Sequence, residues 1–487
     1  MTARRADVAV VGFGPVGATL TGLLARAGCS VVAFDRDVEL YPLPRAAHAD
    51  GEAMRILQNV GCADRIAPAL RPNAGMDFVN GDGTLLLRMR SEGRSAAGWP
   101  SSNLFHQPGL EGPLRATVSA LVGVEVHLGV EVTGLVERAD HVELTAADGR
   151  TVQAQAVVGA DGARSFVRRS IPGLDGHADA GFEEPWLVVD LLLHEGAAAL
   201  LPDHAVQICD PTRPATLVPM PVPRHRVEVM LLPGDDPAAI SRPSRVRELL
   251  RRWLPDDAYE IERAAVYTFH GLVAHRWRQG RVLLAGDACH QMPPFLGQGM
   301  CSGLRDAANL AWKLAAVLHG GAPEALLDTY QAERAPQVQG IVDAAVGFGR
   351  VICTTDPAVA AERDRGFTAA GARTQTSAPM PGLVAGPLVL AGGGRPVPQA
   401  VLSAGRLDDV VGPHWAVLHR GALDADALAF WRALDAVVLD AAGEPALVEV
   451  LDAGAADVIV VRPDRYVLAT GTDLAGITDQ VRSLLRR

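Results

Sequence analysis

Residues 8–11 are four consecutive apolar positions without alternation. Such a run predicts a strand buried on both faces, as in a parallel sheet. Helical spacing follows over residues 15–27, with Leu20, Leu23, Leu24 and Ala27 on one face and Gly28 as the stop. A second apolar strand is expected at 30–34 and ends at Asp35. Helical spacing returns at 52–60, where Ala53, Ile56, Leu57 and Val60 share a face before Gly61. Residues 76–89 alternate around Asn80-Gly81-Asp82-Gly83, which predicts a hairpin. A helix is expected at 110–121. Strands are expected at 124–127, 130–137, 141–146 and 151–158, with Asp148-Gly149 as a turn in a β meander.

Residues 186–232 read mainly as strands, at 186–193, 205–209, 215–219 and 226–232, and another is expected at 263–272 after a helix at 244–254. This grouping predicts a second, antiparallel sheet. A buried strand at 282–285 then leads through a glycine- and proline-rich loop into a helix bearing Leu304, Ala308, Ala311, Leu314 and Leu318 on one face. Residues 370–394 are rich in Gly, Pro and Ala and read as a linker. From 407 a new α/β pattern begins. Strands are expected at 415–418, 436–439, 448–451, 458–461 and 466–469, with helices near 424–434 and from 478.

Three turns carry candidate chemistry. Gly12, Gly14 and Gly17 have G-x-G-x-x-G spacing between a strand and a helix. Gly12 allows the tight turn, Gly14 lets backbone approach a pyrophosphate, and Gly17 lets the helix pack on the strand. Asp35 stands where an acid accepts hydrogen bonds from an adenosine ribose. This stretch alone fits FAD or NAD(P). The second turn, Asp161-Gly162, follows a buried strand and precedes a helix expected to carry Arg164 and Arg168. It fits a phosphate-facing helix start and, equally, a capped strand-to-helix turn. The third is Gly286-Asp287, with the loop 292–299 opening the long helix. Amides at 297–300 suit an anion, including the N1–C2=O edge of a reduced flavin. Arg45, after Pro44, fits either a pyrophosphate contact or a solvated loop charge.

A length of 487 residues with 48% hydrophobic and 21% charged content indicates a globular protein of two to four domains. A net charge of −11 gives no general attraction to nucleic acid or anionic membrane. No Cys/His cluster has zinc spacing among the six cysteines, so no metal is expected, and a reduced, cytoplasmic setting follows. The first strand leaves no room for a signal peptide, and no run is long enough for a transmembrane helix.

The combination of G-x-G-x-x-G, Asp161-Gly162 and the segment from Gly286-Asp287 through Gly297-Gln298-Gly299-Met300 resembles the class A flavoprotein monooxygenases, the group of para-hydroxybenzoate hydroxylase. Residues 41–61 and 460–471 look more like the 3-(3-hydroxyphenyl)propionate hydroxylase and polyketide hydroxylase branch. The resemblance implies a Rossmann-like FAD-binding domain (1–75, 105–180 and 280–345) and an inserted substrate sheet (76–104 and 181–279). It also implies a helix and linker (346–394) and a thioredoxin-like C-terminal domain (395–487) lacking C-x-x-C. It further implies FAD, transient NADH or NADPH, and hydroxylation of a phenolic or other aromatic molecule by O₂ through a flavin C4a-hydroperoxide. A homodimer is compatible. A flavin protein of this fold that oxidises or sequesters a natural product without hydroxylating it is the alternative.

Carried over residue by residue, Gly12, Gly14, Gly17, Asp35 and Arg36 would hold the ADP half, and Arg45 and Gln107 would contact FAD. Asp161 and Gly162 match a segment that serves FAD and the nicotinamide. Gly286 and Asp287 would meet the ribityl chain. Pro294, Gly297, Gly299, Met300 and Cys301 would flank the isoalloxazine, Cys301 standing where many members carry Asn. The pocket candidates are Trp186, Gln207, Pro219, Met220 and Phe295, with His48 or His225 to assist phenol deprotonation. A carboxylated substrate would want an arginine, and Arg213, Arg224 and Arg226 lie in the right region. A flavin halogenase would need a lysine beside a channel. The lone lysine, Lys313, falls deep in the helix after the third turn.

Overall fold

The computed structural model describes residues 4–40, 46–91, 93–369, 371, 373–376 and 380–485. Strand Arg4–Val11 lies at the centre of a parallel sheet, between Thr151–Gly159 on one side and Val31–Asp35 on the other. Val282–Leu284 and Val124–Leu128 extend the parallel pairing outward. Val8, Val10, Val157 and Val158 are fully buried, as an unalternated run requires. Strand 124–128, expected in the meander, instead pairs in parallel with Val31–Asp35. Its alternation, Val-Glu-Val-His, reflects a sheet edge. Val132–Glu137 and Val142–Ala146 do form an antiparallel meander against the early part of Thr151–Gly159.

The second sheet has nine strands and is mixed rather than purely antiparallel. Ala205–Cys209 pairs in parallel with Gly75–Asn80, and Arg373–Thr376 pairs in parallel with Leu85–Arg90. That last strand arises inside the expected linker. The long strands His177–Leu193 and Tyr259–Ala274 pair antiparallel along their length. Both run well beyond the expected spans, because residues such as Glu183, Glu260 and Glu262 interrupt the apolar pattern where the sheet meets solvent. One face, through Leu187, Val189, Val227 and Val229, packs on Val246 and Leu250. The other presents Phe78, Trp186 and Met230 to the core of the first sheet.

Helices Gly299–Leu318 and Asp328–Ile352 pack against the first sheet and carry the C-terminal unit. That unit orders its strands Val437–Asp440, Ala416–His419, Val458–Val461 and Val467–Gly471. The first pair is parallel and the others antiparallel, giving the thioredoxin-like α/β layer. Residues 448–451 belong to helix Pro445–Ala453, not to a strand. A short apolar run does not separate a buried strand from the buried face of a helix. The architecture is thus α/β: a Rossmann-like sheet, an inserted sheet and a thioredoxin-like C-terminal unit.

Candidate functional site

The three turns meet at one end of the parallel sheet. Gly12 has φ +97°, and a Cβ there would lie 2.8 Å from the Asp161 Cα, so only glycine fits the contact. Gly17 backs directly onto the Gly12 carbonyl, leaving no room for a side chain. Val16 touches both Gly286 and Gly303, which brings the third turn and helix Gly299–Leu318 against the first turn. Gly14, by contrast, has φ −70°, and an added Cβ would meet nothing within 4 Å. It caps helix Pro15–Arg26 without any side-chain hydrogen bond. An uncapped helix start beside an open cradle has the form of a pyrophosphate site.

Asp35 shapes that turn: its Oδ2 accepts the Phe13 N–H at 2.9 Å, and Arg115 stands 3.4 Å away. Arg36 is exposed next to it. Gln107 is buried, accepting from the Ala46 N–H and donating to Glu111. Arg45 lies outside the described residues. Asp161 accepts from Ser165 Oγ and from the Phe166 and Val167 amides, and burial pushes its carboxyl up. It thus bonds the first amides of Phe166–Ser170, whose N-cap is Ser165 and which is too short to include Arg164. Asp287 sits in the turn Gly286–Ala288 directly after strand Val282–Leu284. Gly286 donates its N–H to Asp306, whose carboxylate also holds His290 at 2.6 Å and Arg334 at 2.9 Å. Asp306 stands with Cys289 and His290 in a buried trio, but its ion pair with Arg334 already neutralises it.

A second uncapped helix start faces the same region. Gly297 has φ +64°, and Gln298 caps Gly299–Leu318 without a side-chain bond to the helix amides. Gly299 and Met300 are partly exposed there, whereas Cys301 is buried with its thiol toward the His48 and Gly297 carbonyls. His48 is wedged against Gly297: its Nδ1 lies 3.1 Å from the Gly297 carbonyl and its Nε2 2.9 Å from Ser102 Oγ. A carbonyl only accepts, so Nδ1 carries the proton and Nε2 receives the Ser102 hydroxyl. Burial lowers the His48 pKa against the opposing pull of Asp50, so the ring favours the neutral form.

Behind this turn is a network the sequence reading did not single out. Arg305 donates to Asp50 at 2.6 Å, Glu52 at 2.7 Å and Gln298 at 3.1 Å. Burial opposes charge on Asp50, but Arg305 and the Ala53 amide outweigh it and hold the carboxyl below its usual range. The sequence signal was the proximity of Asp50 and Glu52 to His48. Their shared partner, about 250 residues on, had no local cue.

The inner face of the second sheet stands over the loop 292–299. Trp186 and Phe295 are in edge contact with ring centroids 5.5 Å apart, and Phe269 and Phe182 complete the wall. Pro294 sits in the single turn that carries Phe295. Gln207 is buried on the same sheet, accepting from Thr216 Oγ1 at 2.6 Å. Pro219 and Met220 are buried at the strand end, where Arg71 donates to the Met220 carbonyl. His225 alternates onto the opposite face with Val227 and Val229, and burial drives its pKa down to about 4. It is a neutral core histidine on the face away from the loop 292–299. Lys313 is buried and paired with Glu333 at 2.9 Å, far from a channel role.

Comparison with known proteins agrees with this geometry. The FAD binding domain family matches residues 5–345. A probable NADH-specific resorcinol 4-hydroxylase of Rhodococcus jostii is 39% identical over 429 residues, covering 85% of this chain and 79% of that protein. A 3-(3-hydroxy-phenyl)propionate/3-hydroxycinnamic acid hydroxylase of Burkholderia vietnamiensis is 34% identical, covering 97% and 95%. The crystal structure of aklavinone-11 hydroxylase with FAD and aklavinone superposes with a TM-score of 0.81 at 26% identity, covering both chains fully.

Proposed function

This chain belongs to the FAD binding domain family, and from that premise we propose that it is an FAD-dependent monooxygenase that consumes NADH or NADPH and hydroxylates a phenolic aromatic molecule. The supporting observation is the packing of the Gly14 helix start, through Val16, on Gly303 of helix Gly299–Leu318, whose own start follows the Phe295 turn under Trp186. The sequence relatives named as aromatic hydroxylases supply the reaction class. The NADH-specific relative favours NADH as the reductant.

In this reading the residues divide the work along the cofactor. Gly12, Gly14 and Gly17 admit the pyrophosphate to the first helix start, with Asp35 and Arg36 at the adenosine end and Asp161-Gly162 closing the turn. Gln107, at the start of helix Gln107–Ser119, and Arg45 would contact FAD, and Gly286 and Asp287 meet the ribityl region. Pro294, Gly297, Gly299, Met300 and Cys301 bound the ring. Bound FAD supplies oxygen activation after reduction by the nicotinamide cofactor. The chain supplies position, a dry aromatic wall and amide dipoles for negative charge. His48 fixes the Gly297 carbonyl through Nδ1–H, and Ser102 relays a phenol proton toward Nε2. Residues 1–75, 105–180 and 280–345 act here as the cofactor unit, 76–104 and 181–279 as the cover, 346–394 as a helix and connector, and 395–487 as the C-terminal unit.

The test is a purified yellow protein assayed for NADH and NADPH oxidation with and without a panel of phenols. Phenol-stimulated oxidation with one FAD per chain is expected. A colourless protein that binds no added FAD would refute the assignment.

A further inference from the structure

The inner face of the second sheet carries a buried row of ionic and polar groups whose pairing bears on what the pocket accepts. Strand alternation puts Arg224, Arg226, Glu228 and Met230 on the face opposite Val227 and Val229. The register sets Glu228 beside Thr216 on one neighbour and Val188 on the other, with Gln207 one strand beyond Thr216. Met230 lies opposite Trp186, the residue that meets Phe295. Glu228 is therefore one side-chain step from the aromatic wall on the same face.

The three arginines put forward for a substrate carboxylate, Arg213, Arg224 and Arg226, are already paired with acids. Arg213 pairs with Asp235 at 2.7 Å, Arg224 with Glu262 at 2.8 Å, and Arg226 with Asp190 at 2.8 Å. Arg263 shares the same Asp190 at 2.8 Å. Arg71 donates to the carbonyls of Asp203 and Met220. Glu228 differs: among the described residues its charged contact is Arg226 at 3.8 Å, beyond hydrogen-bond reach. Arg226 and Arg263 balance Asp190 and Glu228 in charge, so an added anion would be a buried charge without a counter-ion.

We propose that Glu228 is a specificity-determining residue that accepts a hydrogen bond from a second hydroxyl of a neutral, polyhydric phenol and disfavours aromatic substrates bearing a carboxylate. This rests on the monooxygenase reading for the location of the pocket. A hydroxyl donor satisfies Glu228 while leaving the Asp190–Arg226–Arg263 set intact.

The experiment is equilibrium titration of the FAD-loaded enzyme, without reductant, by calorimetry with resorcinol and with 3-(3-hydroxyphenyl)propionate. The native protein is expected to bind resorcinol the more tightly. Glu228→Gln removes the negative charge and is expected to narrow the difference by about tenfold, the order of one hydrogen bond to a charged group. Should Glu228→Gln not retain FAD, Glu228→Asp keeps the charge but shortens its reach. It is then expected to weaken resorcinol binding by about tenfold while still disfavouring the propionate. Preference of the native protein for the propionate, binding of neither compound, or a ratio unmoved by the variant that retains FAD would overturn the proposal. Because no turnover is read, selective binding with no hydroxylation of any phenol would defeat the monooxygenase reading and leave this one standing.

Discussion

At the scale of single residues, the glycines of the first turn separate packing from binding. Gly17 has no space for a side chain, and Gly14 has space and an ordinary φ. Gly14→Val is therefore expected to fold with little change in stability yet lose FAD, because its side chain fills the cradle. Gly17→Val is expected to fail at folding. FAD content and circular dichroism of the two variants check the contrast. His225 gives a pH prediction of definite sign. Its pKa falls from 6.5 to about 4 on folding, because burial disfavours the charged ring. The unfolded chain then binds the extra proton between those values, so stability declines as pH falls from 6.5 toward 4. The effect amounts to about 3 kcal/mol at most. His225→Leu is expected to flatten that part of the stability profile, measured by denaturant unfolding from pH 7 to pH 4.

At the scale of elements, helix Gly299–Leu318 is held at its start by Arg305, whose guanidinium is all but inaccessible. Arg305→Ala leaves Asp50 and Glu52 buried without their cation and is expected to cost about 3–5 kcal/mol. Thermal unfolding against the native protein checks this. Elements of this kind show what sequence reveals and what it hides. The strand–turn–helix at residues 4–26 was legible because an unbroken apolar run, spaced glycines and a helical stripe agree locally. The helix start at Gly297 to Gly299 was legible for the same reason. Arg305 was not, since its carboxylate partners lie at the start of another helix and its charge reads locally as a solvated face. Asp161 was ambiguous in sequence, and its bonds to Ser165 and to the Phe166 and Val167 amides depend on the turn that only the fold shows. Glu228 sat in a strand pattern as one more polar residue. Only the register across three strands gives it neighbours.

At the scale of the whole molecule, the C-terminal unit reaches the cofactor region through a short chain of hydrogen bonds. Tyr466 donates to Glu52 at 2.7 Å, Glu52 accepts from Arg305, and Arg305 donates to Gln298 at the flavin-side helix start. Arg55 likewise binds Asp408 through two nitrogens, at 2.6 and 2.7 Å. Tyr466→Phe removes the hydroxyl alone and leaves one Glu52 oxygen unsatisfied, a cost of about 1–3 kcal/mol. Weaker FAD retention is expected without loss of the C-terminal fold, read by FAD titration beside circular dichroism. In the proposed reading this assembly carries an oxygenating flavin site. We would therefore first supply ¹⁸O₂ to the FAD-loaded enzyme with NADH and neutral phenols, and weigh the product by mass spectrometry. One labelled oxygen atom in a hydroxylated phenol is the expected result. NADH consumption that yields only labelled hydrogen peroxide, with every phenol recovered unchanged, would contradict it.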